Sequence, residues 1–359
     1  MAKYRQSNLL AAKSITTAGT EIVPINVRDP ISRITIKTAL TNASWTPTGH
    51  PAVAVTKVEL VDGADVLHSM RGCYTAAVAF YGSKKQPFMY ANYTDNGIAV
   101  ATHPIYFGRR LWDPVLAFDP KRFTNPQLRI THNYALGGAA PDAATLEVWA
   151  DLFDENPPTP MGFLSAKSIW SKTLVASATD YVDLPNDMPI RFVYPAAFSN
   201  VEEPDINIDN IKLTEEHDKR TIYEASVLNI LQQIETLWPN FEEWMEGRGL
   251  TATDITFYLA PQKDLTIALD SSQDVDSYRN QIWTGGGIRK INCAATQTIM
   301  GRVFGRCPFG VIPVPMGEPD DIDSWWDVTK LGNARIKMTT GAGSTAAQYE
   351  LLIEQLRKY

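Results

Sequence analysis

The sequence predicts an all-β chain in which one β-rich unit occurs twice. Three observations carry this reading. Apolar and polar residues alternate with a period of two in many short runs, 23 prolines are spread along the chain, and four groups of residues recur in the same order in its two halves. Alternation of that period marks strands that bury one face. Scattered proline interrupts helices and suits short strands joined by loops.

The strands come first. Arg33-Ile34-Thr35-Ile36-Lys37 alternates cleanly, as does Leu128-Arg129-Ile130-Thr131, and Val53-Ala-Val-Thr-Lys-Val-Glu-Leu60 does so approximately. Asp95-Asn96-Gly97 lies between two strand-like runs and signals a tight hairpin. Helical signals are few. From Glu224 onward, Val227, Ile230, Leu231, Ile234 and Leu237 share one helical face. Pro239 ends or kinks that helix, and Phe241, Trp244 and Met245 prolong the stripe until Gly247 and Gly249 close it. A helical insertion is therefore expected near residues 224–248, and a shorter helix over Tyr74–Tyr81.

The repeat is the strongest internal signal. Glu21-Ile-Val-Pro-Ile25 resembles Asp180-Tyr-Val-Asp-Leu184, and Thr56-Lys-Val-Glu-Leu60 resembles Asp209-Asn-Ile-Lys-Leu213. Trp112-Asp113 followed by Asn125-Pro-Gln-Leu-Arg-Ile-Thr131 matches Trp326-Asp327 followed by Asn333-Ala-Arg-Ile-Lys-Met-Thr339. Leu146-Glu-Val-Trp-Ala-Asp-Leu-Phe153 matches Tyr349-Glu-Leu-Leu-Ile-Glu-Gln-Leu356. A duplicated all-β unit of about 150 residues follows. Eight antiparallel strands in two packed sheets, the jelly roll, is the common solution at that size. The expected architecture is two tandem eight-stranded jelly-roll β-barrels with a few short helices in loops. Asp154-Glu-Asn-Pro-Pro-Thr-Pro160 reads as an extended linker. The expected division is an N-terminal arm over 1–19, a first jelly roll over 20–153, a linker over 154–164 and a second jelly roll over 165–359.

Composition narrows the function. The 359 residues suit two cores better than one. With 33 basic and 40 acidic residues the formal charge is −7, which argues against a large phosphate-binding face and against a sequence-specific nucleic-acid partner. Cys73, Cys293 and Cys307 are too few and too widely spaced for a disulfide framework or a zinc site. They read as buried free thiols of a protein made in a reducing cytoplasm. No run is long and apolar enough to be a signal peptide or a membrane span.

Chemistry is sparse, and neither catalytic residues nor a cofactor are expected. His50, His68, His103, His132 and His217 show no metal-ligand spacing and read as satisfied loop or surface residues. Glu318, Asp320, Asp321, Asp323 and Asp327 surround Trp325-Trp326. Asp320, Asp321 and Asp323 could ligate calcium, but the spacing and glycine of an EF-hand loop are missing, and a solvated loop is the simpler reading. Glu202, Glu203, Asp205 and Asp209 are read the same way. Thr284-Gly-Gly-Gly-Ile288 lacks the Gly-Lys-Ser/Thr ending of a phosphate loop and reads as a flexible loop or tight turn. A carbohydrate-binding or glycoside-processing jelly roll is the main alternative, with Trp325, Trp326, Asp323 and Asp327 as its site. A viral spike protein is a second alternative.

Several stretches are similar to one family. They are Val58-Glu-Leu-Val-Asp-Gly-Ala-Asp-Val-Leu67 with the helix ending in Phe80-Tyr81, and Tyr106-Phe-Gly-Arg-Arg-Leu-Trp-Asp113 with Phe118 to Thr131. Ile208-Asp-Asn-Ile-Lys-Leu213 and the closing Ile353-Glu-Gln-Leu-Arg-Lys-Tyr359 complete the set. Their order resembles the double jelly-roll major capsid proteins of tailless icosahedral DNA viruses, the lineage of membrane-containing phages and adenovirus hexon. The resemblance covers nearly the whole chain in order and style, with no short diagnostic motif. It implies a structural protein and not an enzyme: a homotrimer forming a pseudo-hexagonal capsomer, with neighbouring capsomers, vertex and minor capsid proteins as partners. The implied location is the virion shell, assembled in the host cytoplasm. Lys3, Tyr4, Arg5 and Lys13 then become candidates for contact with an internal lipid membrane or the lattice, since anionic headgroups attract each basic residue by about 1 kcal/mol.

Overall fold

The computed structural model describes residues 3–251, 253–271, 279–283, 285–293, 296–343 and 348–359. The first half runs β1 (Tyr4–Ile15), β2 (Gly19–Pro24), β3 (Ile31–Asn42), β4 (Val55–Asp62), β5 (Asp65–Met70), α1 (Gly72–Ser83), β6 (Met89–Asn92), β7 (Ile98–Tyr106), β8 (Pro126–His132) and β9 (Pro141–Phe153). Two layers face each other across its core, in the orders β1-β9-β3-β7-β6 and β2-β8-β4-β5. Alternation dictates which side chains meet there. Ile34, Ile36 and Leu40 of β3 point inward against Val58 and Leu60 of β4 and Leu128 and Ile130 of β8.

The second half runs β10 (Gly162–Thr173), β11 (Thr179–Asp183), β12 (Ile190–Phe198), α2 (Pro204–Asn207), β13 (Ile208–Glu215), β14 (Arg220–Ser226) and α3 (Val227–Leu237). It continues through β15 (Phe241–Gly249), β16 (Ile255–Tyr258), β17 (Pro261–Ser271), β18 (Arg279–Trp283), β19 (Ile288–Cys293), β20 (Gln297–Pro308), β21 (Val314–Pro315), β22 (Ala334–Thr340) and β23 (Gln348–Lys358). The strand order of the first barrel returns as β10-β23-β12-β21 and β11-β22-β13-β14. The four sequence recurrences fall on the equivalent strands β2 and β11, β4 and β13, β8 and β22, and β9 and β23. The chain is thus a tandem pair of jelly rolls.

The barrels share their sheets. β5 runs parallel to β10, with Ser69 opposite Lys167, and β6 runs parallel to β15, with Tyr90 opposite Trp244. The first junction fuses β2-β8-β4-β5 to β10-β23-β12-β21, and the second extends β1-β9-β3-β7-β6 into β15-β20-β17, giving two eight-stranded sheets that run from one half of the chain into the other, while β11-β22-β13-β14 stays a sheet of its own.

Two expectations need correcting. The segment 1–19 contains a strand, β1, which pairs with β9 from Tyr4 opposite Phe153 to Ile15 opposite Ala144. Its polar Gln6-Ser7-Asn8 start hides the strand because β1 lies at a sheet edge and is mostly exposed. The helical insertion near 224–248 is helical only over Val227–Leu237, and Phe241–Gly249 is a strand. There Phe241, Glu243 and Met245 point inward while Trp244 points out, so Trp244 does not belong to one stripe with Phe241 and Met245. Between the barrels, residues 154–161 connect the end of β9 to the start of β10. Among the described residues no helix is long and apolar enough to cross a membrane.

Candidate functional site

The functional candidates are surfaces that join barrels, and the best-formed one is the seam within the chain. Helix α1 is its centrepiece. Gly72-Cys-Tyr-Thr-Ala-Ala-Val-Ala-Phe-Tyr81 is buried along its whole length, which a helix with apolar residues on every side requires. Phe80 meets Phe241 edge-on at 5.3 Å, Tyr81 Oη donates to the Val311 carbonyl at 3.1 Å, and Trp238 Nε1 donates to the Tyr81 carbonyl at 2.8 Å.

Arg191 locks the far end of α1. It is 1% exposed, and three of its nitrogens serve three elements. Nη1 donates to Glu354 Oε1 at 2.7 Å, Nη2 to the Gly82 carbonyl at 3.0 Å and Nε to the Pro319 carbonyl at 2.9 Å. Desolvating such a pair is costly, and these hydrogen bonds offset the cost. Burial raises the Glu354 carboxyl pKa, with Arg191 opposing. At the near end of α1, Arg71 Nε lies 2.6 Å from Glu350 Oε1.

Histidines contribute more than the sequence suggested. His217 lies at an exposed turn, but His50, His68, His103 and His132 are buried, contrary to the expected loop and surface placement. His50 Nδ1 accepts from the Ala52 amide at 3.1 Å, so Nε2 carries the proton and donates to Glu243 Oε2 at 2.7 Å, in the other barrel. The remaining Glu243 oxygen accepts from the Ala260 amide at 2.7 Å. His103 Nδ1 donates to the Gly72 carbonyl at 2.8 Å, and burial pushes its pKa down to about 4. Burial drives His68 down to about 3, beside Thr75 of α1. The His50–Glu243 and His103–Gly72 contacts link residues far apart in the chain, and no sequence signal marks them.

On the sheet that runs from β1 to β17, several apolar side chains face solvent where the barrels meet. Phe88, Ile98, Trp244 and Met300 are 57%, 53%, 45% and 43% exposed, and the Arg302 guanidinium lies 5.5 Å from the Trp244 ring. A hollow of about 200 Å³ opens between Phe88, Met89, Trp244 and Arg302. Isolated exposed apolar residues are ordinary, whereas Phe88 and Trp244 line one hollow, and Glu246 stands between Met300 and Asn92, so the candidate partner surface centres on Trp244.

The residues singled out in the sequence are scattered over the molecule. Arg5 pairs with Asp29 at 2.6 Å and lies 3.7 Å from Asp154, Lys13 pairs with Glu21 at 2.7 Å, and Tyr4 stacks on Trp112 at 4.2 Å. Lys3 is exposed, and its carbonyl accepts from the Asp154 amide at 2.8 Å. The charges of Arg5 and Lys13 are thus balanced within the first barrel. Asp320, Asp321 and Asp323 are exposed at a short turn, where Asp321 accepts from the Asp323 amide at 3.2 Å. Among the described residues, no group of three or more His, Cys, Asp and Glu could hold a metal ion. Trp325 is buried and donates to the Glu318 carbonyl at 3.1 Å, and Trp326 donates to Glu215 Oε1 at 2.8 Å. Neither offers the open ring face a sugar would stack on. Glu203 and Asp205 are not a free solvated loop, since they clamp Lys263 Nζ at 2.6 and 2.9 Å. Gly285 and Gly286 form a buried turn against Ser199–Val201, Gly287 packs against Leu259 and Gln262, and Thr284 lies outside the described residues. Cys73, Cys293 and Cys307 are buried free thiols, and burial pushes Cys73 and Cys307 up to about 12.

No family model matches the chain, and no curated protein does. Solved structures do. The STIV MCP is 10% identical with a TM-score of 0.60, covering 100% of this chain and 98% of that one. The major capsid protein P2 from bacteriophage PM2 is 9% identical with a TM-score of 0.57, covering 99% and 98%. VP54 of PBCV-1, from a structure fitted into a reconstruction of the virophage Sputnik, is 11% identical with a TM-score of 0.54, covering 98% and 93%. The likeness runs from end to end of both partners in each case, and what this chain shares with those capsid proteins is the whole double jelly-roll fold.

Proposed function

We propose that this chain is the major capsid protein of an icosahedral virus, a shell subunit with no catalytic role. The observation that carries the reading is the end-to-end fold match to the STIV MCP and to the major capsid protein P2 of bacteriophage PM2. Three copies form a pseudo-hexagonal capsomer, six barrels in a ring, and capsomers tile the shell beside vertex and minor capsid proteins. The exposed apolar side chains Phe88, Ile98, Trp244 and Met300 supply surface for such contacts, since obligate interfaces bury upwards of about 2,000 Å² and are rich in apolar residues. An internal membrane beneath the shell would meet Lys3, Tyr4, Arg5 and Lys13. The pairing of Arg5 and Lys13 with Asp29 and Glu21 favours the lattice over the lipid as their neighbour.

Light scattering behind size exclusion tests the proposal. A particle of three times 39.9 kDa, or a larger shell-like assembly, is expected. A monomer at micromolar concentration would overturn it. The sugar-binding alternative would regain ground only if glycans bound and Trp326 substitutions abolished that binding.

A further inference from the structure

The duplication makes the seam inside the chain a template for contacts between chains. In the first barrel, β5 does not end its layer, because β10 of the second barrel extends it. Its equivalent in the second barrel, β14, does end its layer, and among the described residues no strand lies beyond it. The equivalent of β10 is β1, which likewise ends its sheet, paired among the described residues only to β9. Among the strands that end their sheets, β14 and β1 are the equivalents of the two strands whose pairing joins the barrels within the chain. A free edge of this kind is open to strand addition.

The same holds for the helices. α1 follows β5 and is covered on both sides, whereas α3 follows β14 and turns Leu228 and Leu237 to solvent, 46% and 49% exposed. The surface that would receive α3 also has its counterpart. Glu354, which meets Arg191 at the C-terminal end of α1, occupies on β23 the place of Asp151 on β9. Asp151 is again paired to an arginine, Arg33, at 2.7 Å. A cation there complements the negative end of a helix.

We infer that β14 and α3 of one copy dock on the outer edge and face of β1 and β9 in the next copy, reproducing between chains the seam that α1 and β5 make within one. The inference rests on the capsomer reading and deepens it. A head-to-tail contact of this kind uses two different surfaces on each copy and closes as a ring. The register follows from the equivalences. Ser69 sits opposite Glu59 as Glu224 sits opposite Lys212, and Lys167 sits opposite Ile353 as Ser7 sits opposite Ala150. Since Ser69 faces Lys167 in the seam, Glu224 of one copy faces Ser7 of the next, on parallel strands.

Cysteine cross-linking tests this. In the double variant Ser7→Cys, Glu224→Cys, mild oxidation is expected to give a covalently closed trimer on a non-reducing gel, and neither single variant gives one. The native cysteines are buried and stay out of the reaction. A trimer by light scattering that yields no covalent trimer would overturn this assignment of surfaces and leave the capsomer reading standing. A monomer by light scattering would overturn both. As a second arm, Leu228→Glu combined with Leu237→Glu is expected to weaken the trimer by at least about tenfold with an unchanged far-UV spectrum. An unweakened trimer would again overturn the docking surface.

Discussion

Helices α1 and α3 occupy equivalent places in the two barrels and are built on opposite plans. α1, Gly72–Ser83, has no charged residue, and no side chain caps its N-terminus. α3, Val227–Leu237, buries Val227, Ile230, Leu231 and Ile234 on one face and leaves the other polar or open. Its start is capped by Ser226, whose Oγ accepts from the Asn229 amide at 3.3 Å. The difference follows from what covers each. A helix clamped between two barrels draws its stability from burial and can forgo both amphipathicity and a cap. One covered on a single side needs a divided surface and a secured first turn.

The comparison breaks most sharply at the clamp. Arg191→Ala would leave Glu354 buried without its cation, and a loss of roughly 3–5 kcal/mol is expected from urea unfolding. Replacing both, as Arg191→Met with Glu354→Leu, should recover most of the loss, because the uncompensated charge is then gone. If the single variant unfolds at the wild-type midpoint, the pair does not hold the seam. Truncating the helices probes the same contrast. Phe80→Ala in α1 should cost roughly 3–5 kcal/mol, whereas Leu228→Ala, whose side chain is open within its own chain, should stay within about 0.5 kcal/mol when the dissociated chain is unfolded. Equal costs in the dissociated chain would mean that α3 is covered by something within the chain, and a larger cost in the trimer alone is what docking on a neighbouring copy requires.

Acid sharpens the comparison next. His68 and His103, both against α1, are held neutral by burial, at about 3 and about 4 instead of 6.5. Between those values and 6.5 the unfolded chain binds more protons than the folded one. Their contribution is therefore complete above pH 6.5 and is lost as pH falls, with a slope of up to about 1.4 kcal/mol per pH unit for each histidine. Glu354, raised by burial, works in the opposite direction near the acid end. Chemical unfolding at a series of pH values checks this. The variant His103→Asn should show a shallower decline between pH 6.5 and 4, and an unaltered slope would remove His103 from the account.

The sequence made the strands legible where one face is buried and the other wet. Arg33–Lys37 and Leu128–Thr131 alternate because their apolar residues face the core while Arg33, Lys37, Arg129 and Thr131 on the other face keep partial access to solvent. β1 was hidden because an edge strand buries little, and β15 was mistaken for helix because Phe241 and Met245 are also four apart. The stripe of α3 was visible, since one-sided cover writes a 3.6-residue period into the chain. α1 showed itself as a short helix, but nothing in its uniform apolar run tells which two surfaces it joins. The seam was out of reach for a further reason. His50 and Glu243, or Arg191 and Glu354, become neighbours only through the packing of whole barrels, and their separation in sequence carries no pattern.

The smallest expected effect returns to the caps. Ser226→Ala removes the acceptor for the Asn229 amide at the start of α3 and should cost about 1 kcal/mol, read as a lower urea midpoint at unchanged slope. At the same position of α1 stands Arg71, whose side chain makes no cap hydrogen bond and instead pairs with Glu350. A cost near zero at Ser226 would mean that burial of Val227, Ile230, Leu231 and Ile234 suffices to hold α3. The two helices would then differ in their cover but not in their need for a cap, and the open face of α3 would be the whole of the difference between them.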